Sequence, residues 1–305
     1  MAFLFKSIAP FQDIEPSKFE KANPYHDERG RFSSANRSRI IVPMMDKDYA
    51  KAPAGADNSF NQHINPKTGR ISAERRKLYE DIISKHLDAV ESSPNPTVDY
   101  MGGGGGSGKT FMINQGYADV PTKASSKAVH INPDDIKEML PEYDKMRFSG
   151  DDNQAKRAAG YVHEESSLLA KEITRRAIDK GCSIVIDGTG SNPKKIEQQV
   201  EAARQKGYQI NGHYVNTPFE TAMSNNKKRF ENPGEKRWVD EEVLKHAHVS
   251  VSKNFESVLP LFDKMTLYHN DGKSTPVVIA NYEKNGMLEV RDSALYQSFL
   301  GKGAL

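Results

Sequence analysis

Residues 101–111 read MGGGGGSGKTF, and this stretch decides the fold. Gly103, Gly104, Gly105, Gly106, Ser107, Gly108, Lys109 and Thr110 have the Gly-x-x-x-x-Gly-Lys-Thr spacing of a P-loop. Glycines let backbone amides close around an anionic oxygen, because no Cβ blocks the approach and positive φ costs little. A lysine at position 109 can reach β/γ-phosphates, and a hydroxyl at Thr110 can ligate Mg²⁺. The loop therefore implies a nucleoside triphosphate such as ATP, with Mg²⁺. It leaves open whether the γ-phosphate goes to water, a small molecule, nucleic acid, or nowhere.

The surroundings supply the context that a P-loop requires. A short strand, TVDYM, leads into the loop and FMINQ continues as helix. Upstream, ISAERRKLYEDIISKHLDAV predicts a helix capped by Ser72, with Leu78, Ile82, Leu87 and Val90 at helical spacing. Downstream come the strand AVHIN, a helix opening at NPDD, and a long helix over about 152–180 that ends at Gly181. The strand CSIVID, a helix started by Ser191 or Asn192 with Pro193 at N1, and the strand YQINGHYVN follow. Strands alternating with helices predict an α/β fold of the P-loop NTPase/kinase type, a doubly wound and mainly parallel sheet. Residues 218–262 read as helix broken at ENPGE, and the tail as one strand plus a hairpin around Lys284-Asn285-Gly286. The expected organisation is an extension of low order over 1–70, a kinase-like domain over 71–270, and a strand and hairpin over 271–305.

Composition limits the classes. The 305 residues carry 43 Lys+Arg against 41 Asp+Glu, a net +2. Residues 1–95 hold 15 basic and 13 acidic groups, leaving 28 of each in 96–305. This balance gives no polyanion footprint, so nucleic acid is a disfavoured partner and any anion site must be local. One cysteine excludes an internal disulfide framework and suits a reducing cytosol. No apolar run reaches the roughly 18 residues of a membrane span. The start, MAFLFKSIAPF, is too short for a secretory signal, so the expectation is a cytoplasmic protein. Residues 23–39 place four arginines within eleven positions, which reads as a solvated linker or a docking tag.

In open α/β sheets, ligands sit beyond the carboxyl ends of the strands. After AVHIN come Pro133, Asp134 and Asp135; after CSIVI come Asp187, Gly188 and Thr189. A carboxylate beside a triphosphate is repelled unless it holds Mg²⁺ or accepts a proton from an attacking hydroxyl. Asp134 suits the general base, with helix capping by Asp134 or Asp135 as the plain alternative. Asp187 suits Mg²⁺ or a substrate hydroxyl, with Thr189 beside it. NNKKRFENPGEKRW supplies Lys227, Lys228, Arg229, Lys236 and Arg237 across a hinge, the makings of a helical lid that neutralises charge. For the lysines a solvated face is preferred.

Several residues read as structural. His163 falls inside the long helix among Ala and Leu, and Cys182 opens a buried strand. His246 and His248 lie two apart, which does not make a metal pair on a helix. Trp238 adjoins Arg237 and would report on a lid.

With these pieces assembled, residues of about 70–270 resemble the zeta-toxin family of P-loop kinases. The resemblance rests on GGGGSGKT, HINPDDIKEMLPEY, HEESSLLAKEITRRAIDKGCSIVIDGTG, KKRF and EKRWVDEEVLKHAH in that order. It implies ATP-dependent phosphorylation of the 3′-hydroxyl of the amino sugar of UDP-N-acetylglucosamine, with an antitoxin as partner. Position by position, it implies Lys109 and Thr110 as the phosphate-gripping pair, Asp134 as base, and Asp187 as an acid contacting substrate or metal. Arg229 and Arg237 match the two lid arginines. Five glycines without Pro or Ala depart from the family and predict a loop that is floppy when empty. Many relatives have an aspartate where Asn132 stands. NPYHDERGRF is similar to short segments of tailed-phage head proteins and suggests a phage or prophage origin. The rival readings are a polynucleotide, tRNA or nucleotide kinase on the same scaffold, and an ATP-binding switch without phosphotransfer.

Overall fold

The computed structural model describes residues 57–64 and 71–304. Most of the expected extension, including its arginine-rich stretch, lies outside the described residues. In the described part of the extension a short helix forms: α1, Ser59–His63, capped by Asn58, whose side chain accepts from the Asn61 amide.

The chain then runs through α2 (Ala73–Leu87), β1 (Thr97–Gly102), α3 (Lys109–Asn114), β2 (Val129–Ile131), α4 (Pro133–Lys137) and α5 (Pro141–Arg147). It continues with α6 (Asp152–Tyr161), α7 (His163–Lys180), β3 (Ile184–Asp187), α8 (Pro193–Arg204), β4 (Gln209–Asn216) and α9 (Phe219–Glu231). The last elements are α10 (Glu241–Val258), β5 (Lys264–His269), β6 (Val277–Glu283), β7 (Glu289–Val290) and α11 (Ser293–Gly301). The sheet order is β2-β3-β1-β4-β5-β6-β7. The first five strands are parallel, and β6 and β7 add antiparallel at one side. This is the doubly wound, mainly parallel sheet that the alternation of strands and helices predicts. Strand β1 lies between β3 and β4, where the chain reverses direction across the sheet, and its carboxyl end feeds the glycine loop.

The helix starts follow from local chemistry. Ser72 accepts from the Arg75 amide at 3.1 Å, as expected. Pro133 and Pro193 each occupy the first turn behind an asparagine cap, and Asn192, not Ser191, caps α8. The long helix expected over 152–180 is two helices, broken at Val162. The bend buries the Val162 side chain completely. Both faces of the central strands are apolar: Val98, Met101, Ile184, Val185, Ile210 and Leu267 are at most 2% exposed. Cys182 is a buried core residue, as expected.

A charged cluster ties the helices on one face. Glu165, fully buried, accepts from Ser59 Oγ at 2.6 Å, from Arg75 Nε at 2.5 Å and from the Tyr79 hydroxyl. Arg75 also forks onto Glu142, at 3.0 and 2.9 Å, which His63 contacts at 2.8 Å. Helices α1, α2, α5 and α7 are thus joined by a buried, multiply bonded acid.

Candidate active site

The glycine loop is closely packed by its neighbours. A Cβ on Gly104 would come within 2.3 Å of the His248 ring, and one on Gly105 within 2.6 Å of Leu244. Gly103, Gly106 and Gly108 have φ of +138°, +71° and +87°, the region that favours glycine. The expectation of looseness counted absent side chains within the loop; the close packing of its neighbours is an additional constraint. Lys109 Nζ donates to the Gly103 and Gly104 carbonyls at 2.9 and 3.4 Å. Ser107 Oγ is buried with no partner among the described residues. A cradle that only glycine fits, a buried hydroxyl without a partner and an ammonium resting on loop carbonyls suit an anionic group there.

The two acids meet at this loop. Thr110 Oγ1 and Asn132 Nδ2 each donate to Asp187 Oδ2 at 3.3 Å, and Lys109 Nζ lies 3.9 Å from Asp187 Oδ1. Burial pushes the Asp187 pKa up; Lys109 opposes this, while Asp134 and Asp135 add to it. Burial likewise pushes the Lys109 pKa down, against the pull of Asp187 and Asp134. The Thr110 hydroxyl and the Asp187 carboxylate are the oxygen pair that fits Mg²⁺ beside the loop.

Asn132 caps α4, accepting from the Asp134 amide at 2.9 Å, so neither following acid serves as the cap. Asp135 pairs instead with Lys123. Asp134 accepts from Lys137 Nζ at 2.9 Å and pairs with Arg237 at 2.6 Å. Its side chain remains 46% exposed, open to the cleft. Burial of its surroundings works to raise its pKa, but Lys137, Arg237 and Lys109 win and hold it well below the usual carboxylate range.

The segment expected as a lid reaches these groups through Arg237. It is an irregular turn between α9 and α10, pinned by Asn226, which donates to the Val239 carbonyl at 2.8 Å and accepts from its amide at 3.0 Å. Arg147 donates to the Glu235 carbonyl at 2.6 Å, and Arg237 reaches Asp134. Arg229 projects its charge onto Lys109 and has no ion pair among the described residues. Lys227 and Lys228 are exposed, in keeping with a solvated face. Trp238 packs edge-on to Phe230, with Lys156 Nζ 5.2 Å from its ring. Thr189 is exposed; its carbonyl accepts from Gly103 N at 2.8 Å and its hydroxyl faces Ser191 at 2.9 Å.

Beside the acids lies a cavity of about 90 Å³ lined by Pro133, Ser167, Lys171, Asp187, Thr189 and Lys195. It shares Lys171 and Lys195 with an outer cavity of about 580 Å³ between α7 and α8. A third, of about 570 Å³, lies along the lid and is lined by Lys137, Lys156, His163 and Trp238. His163 is therefore not a residue inside a helix. It opens α7 on a cavity wall, where burial, Lys137 and Lys195 push its pKa down. Sequence reasoning also missed Lys137 and Arg147. Lys137 reaches Asp134 across one turn of α4, a spacing present in the sequence, whereas Arg147, at the end of α5, meets the Glu235 carbonyl only through the fold.

Loop, paired acids and lid at the ends of a 2-3-1-4-5 parallel core make this a P-loop kinase fold. The zeta toxin family model matches residues 81–281, and the chain belongs to that family. It is 26% identical to Toxin zeta of Streptococcus agalactiae over 214 residues, 64% of this chain and 69% of that protein. A 111-residue stretch is 30% identical to the calmodulin calcium-dependent NAD kinase of Arabidopsis thaliana, 36% of this chain and 21% of that one. In fold it is similar to the AvrRxo1-ORF1:-ORF2 complex solved with ATP, at TM-score 0.61, 20% identity and coverage of 76% and 74%. A structure from the PezAT chromosomal toxin-antitoxin system of Streptococcus pneumoniae gives TM-score 0.53 at 15% identity, covering 75% and 94%. Among the described residues no helix is long and apolar enough to cross a membrane.

Proposed function

We propose that this protein is an ATP-dependent kinase that transfers the γ-phosphate to a hydroxyl of a small molecule. The acceptor assigned first is UDP-N-acetylglucosamine, at the 3′-hydroxyl of its amino sugar. The observation that carries the reading is the meeting of Lys109, Thr110, Asp187, Asp134 and Arg237 at one set of strand ends. A nucleotide holder needs the loop and Lys109; it has no use for an ionised acid held across from them by a lid arginine.

The chain's own groups divide the work. Loop amides and Lys109 bind the β/γ-phosphates of ATP, Lys109 exchanging its loop carbonyls for phosphate oxygens. Thr110 and Asp187 would hold Mg²⁺, which when bound screens the charge between the phosphates. The Asp134 carboxylate orients the acceptor hydroxyl and takes its proton as the oxygen attacks the γ-phosphorus, whose bond to the β,γ-bridging oxygen breaks to release ADP. Asp187 and Thr189 line the small cavity beside it and position the acceptor. Arg229 and Arg237 neutralise the phosphoryl group in transit. A partner antitoxin is part of this reading, supported by the toxin-antitoxin system to which one structural relative belongs.

A second reading keeps the chemistry and changes the acceptor to NAD, favoured by the partial match to a plant NAD kinase. Incubation with γ-labelled ATP and a panel of UDP-sugars, NAD, nucleotides, tRNA and DNA decides between them. Label on UDP-N-acetylglucosamine is the expected result. Label on NAD or on nucleic acid would replace the first acceptor, and ATP binding with no transfer to any of them would leave only a switch.

A further inference from the structure

The loop's amide groups can face a ligand only if its carbonyls are turned away and satisfied elsewhere. Three consecutive carbonyls are taken up by side chains from other parts of the chain. His248 Nε2, the donor against a carbonyl, contacts Gly105 O at 2.9 Å. Asn225 Nδ2 donates to Gly106 O at 2.9 Å. Ser107 O accepts twice, from Thr217 Oγ1 at 3.0 Å and Asn270 Nδ2 at 2.9 Å.

Two of the holders depend on one distant residue. Lys302 Nζ donates to the Thr217 carbonyl at 2.7 Å and to the side-chain oxygen of Asn216. The Asn216 carbonyl in turn accepts from the Asn270 amide at 2.9 Å. Lys302 stands on the short turn after α11 and is fixed there by packing. Phe299 meets Phe255 edge-on at 5.1 Å, and the Tyr296 hydroxyl donates to Glu256 at 2.8 Å. Gly303 passes α10 so closely that a Cβ would stand 2.8 Å from the Lys253 backbone nitrogen. A half-buried ammonium with one backbone and one side-chain acceptor is held in place, unlike an exposed lysine that samples many rotamers.

We propose that Lys302 is a positioning residue for nucleotide binding: through Asn216 and Thr217 it turns the Ser107 carbonyl outward, which presents the loop's N–H groups to the triphosphate. It touches neither ATP nor acceptor. The inference rests on the loop being a nucleotide site, and it adds that the site is shaped by a strap some two hundred residues away in sequence. Preorganisation of this kind acts on ATP binding more than on the chemical step.

The test uses the full chain with Lys302→Met, Lys302→Arg, Thr217→Val and the Lys302→Met/Thr217→Val double variant. Fluorescent ATP titration gives affinity, steady-state kinetics give KM for each substrate, and thermal melts report folding. The expected result is a rise of about tenfold in Kd and KM for ATP in Lys302→Met, with the acceptor KM and kcat near wild type. Lys302→Arg should restore most of the affinity, and the double variant should fall short of the product of the single effects. Wild-type ATP affinity in Lys302→Met overturns the proposal, as does parallel loss of both substrates with a collapsed melt. Failure of the wild-type protein to bind ATP would refute the nucleotide site itself and this proposal with it.

Discussion

Replacing Asp134 by Asn removes one charge and keeps the shape, so it separates proton transfer from packing. The carboxylate now serves Lys137 at 2.9 Å and Arg237 at 2.6 Å. An amide oxygen can keep one of these partners, so the loss is one charge-assisted bond, about 1.5–3 kcal/mol before water is allowed for. With 46% of the side chain open to the cleft, the smaller figure applies. Loss of a general base costs a further factor of about 10²–10⁴ in transfer rate, about 3–5 kcal/mol on the barrier. Single-turnover transfer of labelled γ-phosphate at saturating acceptor reads the second effect, and urea unfolding reads the first. ATP affinity should stay within a few-fold, because Asp134 touches none of the loop amides. The pH profile adds a sign. The base works ionised, and its pKa is held below the ordinary range, so the acidic limb of the rate should lie below that range. Arg237→Gln removes one of the cations responsible, so the limb should move to higher pH even as the rate falls. Transfer by Asp134→Asn within threefold of wild type would remove the base from the mechanism.

Gly104→Ala drives a methyl into the His248 ring and should abolish ATP binding while Gly160→Ala, which meets nothing within 4 Å, leaves it intact; equilibrium titration compares them. His248 is 5% exposed and burial pushes its pKa down to about 4. Its contribution is complete above about pH 6.5 and is lost as pH falls towards 4, about 3 kcal/mol in all. Urea midpoints measured from pH 7.5 to 4.5 should therefore fall more steeply for wild type than for His248→Gln. Glu165→Gln leaves Arg75, 5% exposed, short of its buried partner, and should cost about 3–5 kcal/mol in denaturant unfolding with nucleotide affinity retained. Trp238 fluorescence should change when ATP and acceptor are added together, since the Lys156 and Phe230 contacts sit on the closing segment; an unchanged spectrum counts against lid movement.

Much of the fold was legible because its signals are local. The parallel strands were readable from their alternation with helices, CSIVID as a continuous apolar run, and Ser72, Pro133, Pro193 and Gly181 punctuated helices by fixed backbone rules. The hairpin at Lys284-Asn285-Gly286 was readable for the same reason, with Asn285 at φ +68°. The acids past β2 and β3 followed from strand ends alone. What could not be read depends on where distant segments land. His163 looked interior because the bend at Val162 leaves no composition signature. The close packing of the loop comes from Leu244, His248 and Asn270, none of them near it in sequence. Asn132 as cap, not Asp134 or Asp135, was a choice among neighbours of equal propensity.

The two outermost strands are the shortest in the sheet: β2 has three residues and β7 two. An open row of backbone donors and acceptors invites another chain to zip alongside, and rows this brief offer too few bonds to hold one. Val290, the outermost apolar side chain on β7, is flanked by Glu289 and Arg291, which further discourages stacking. Among the described residues, the sheet therefore offers little edge through which two copies could associate.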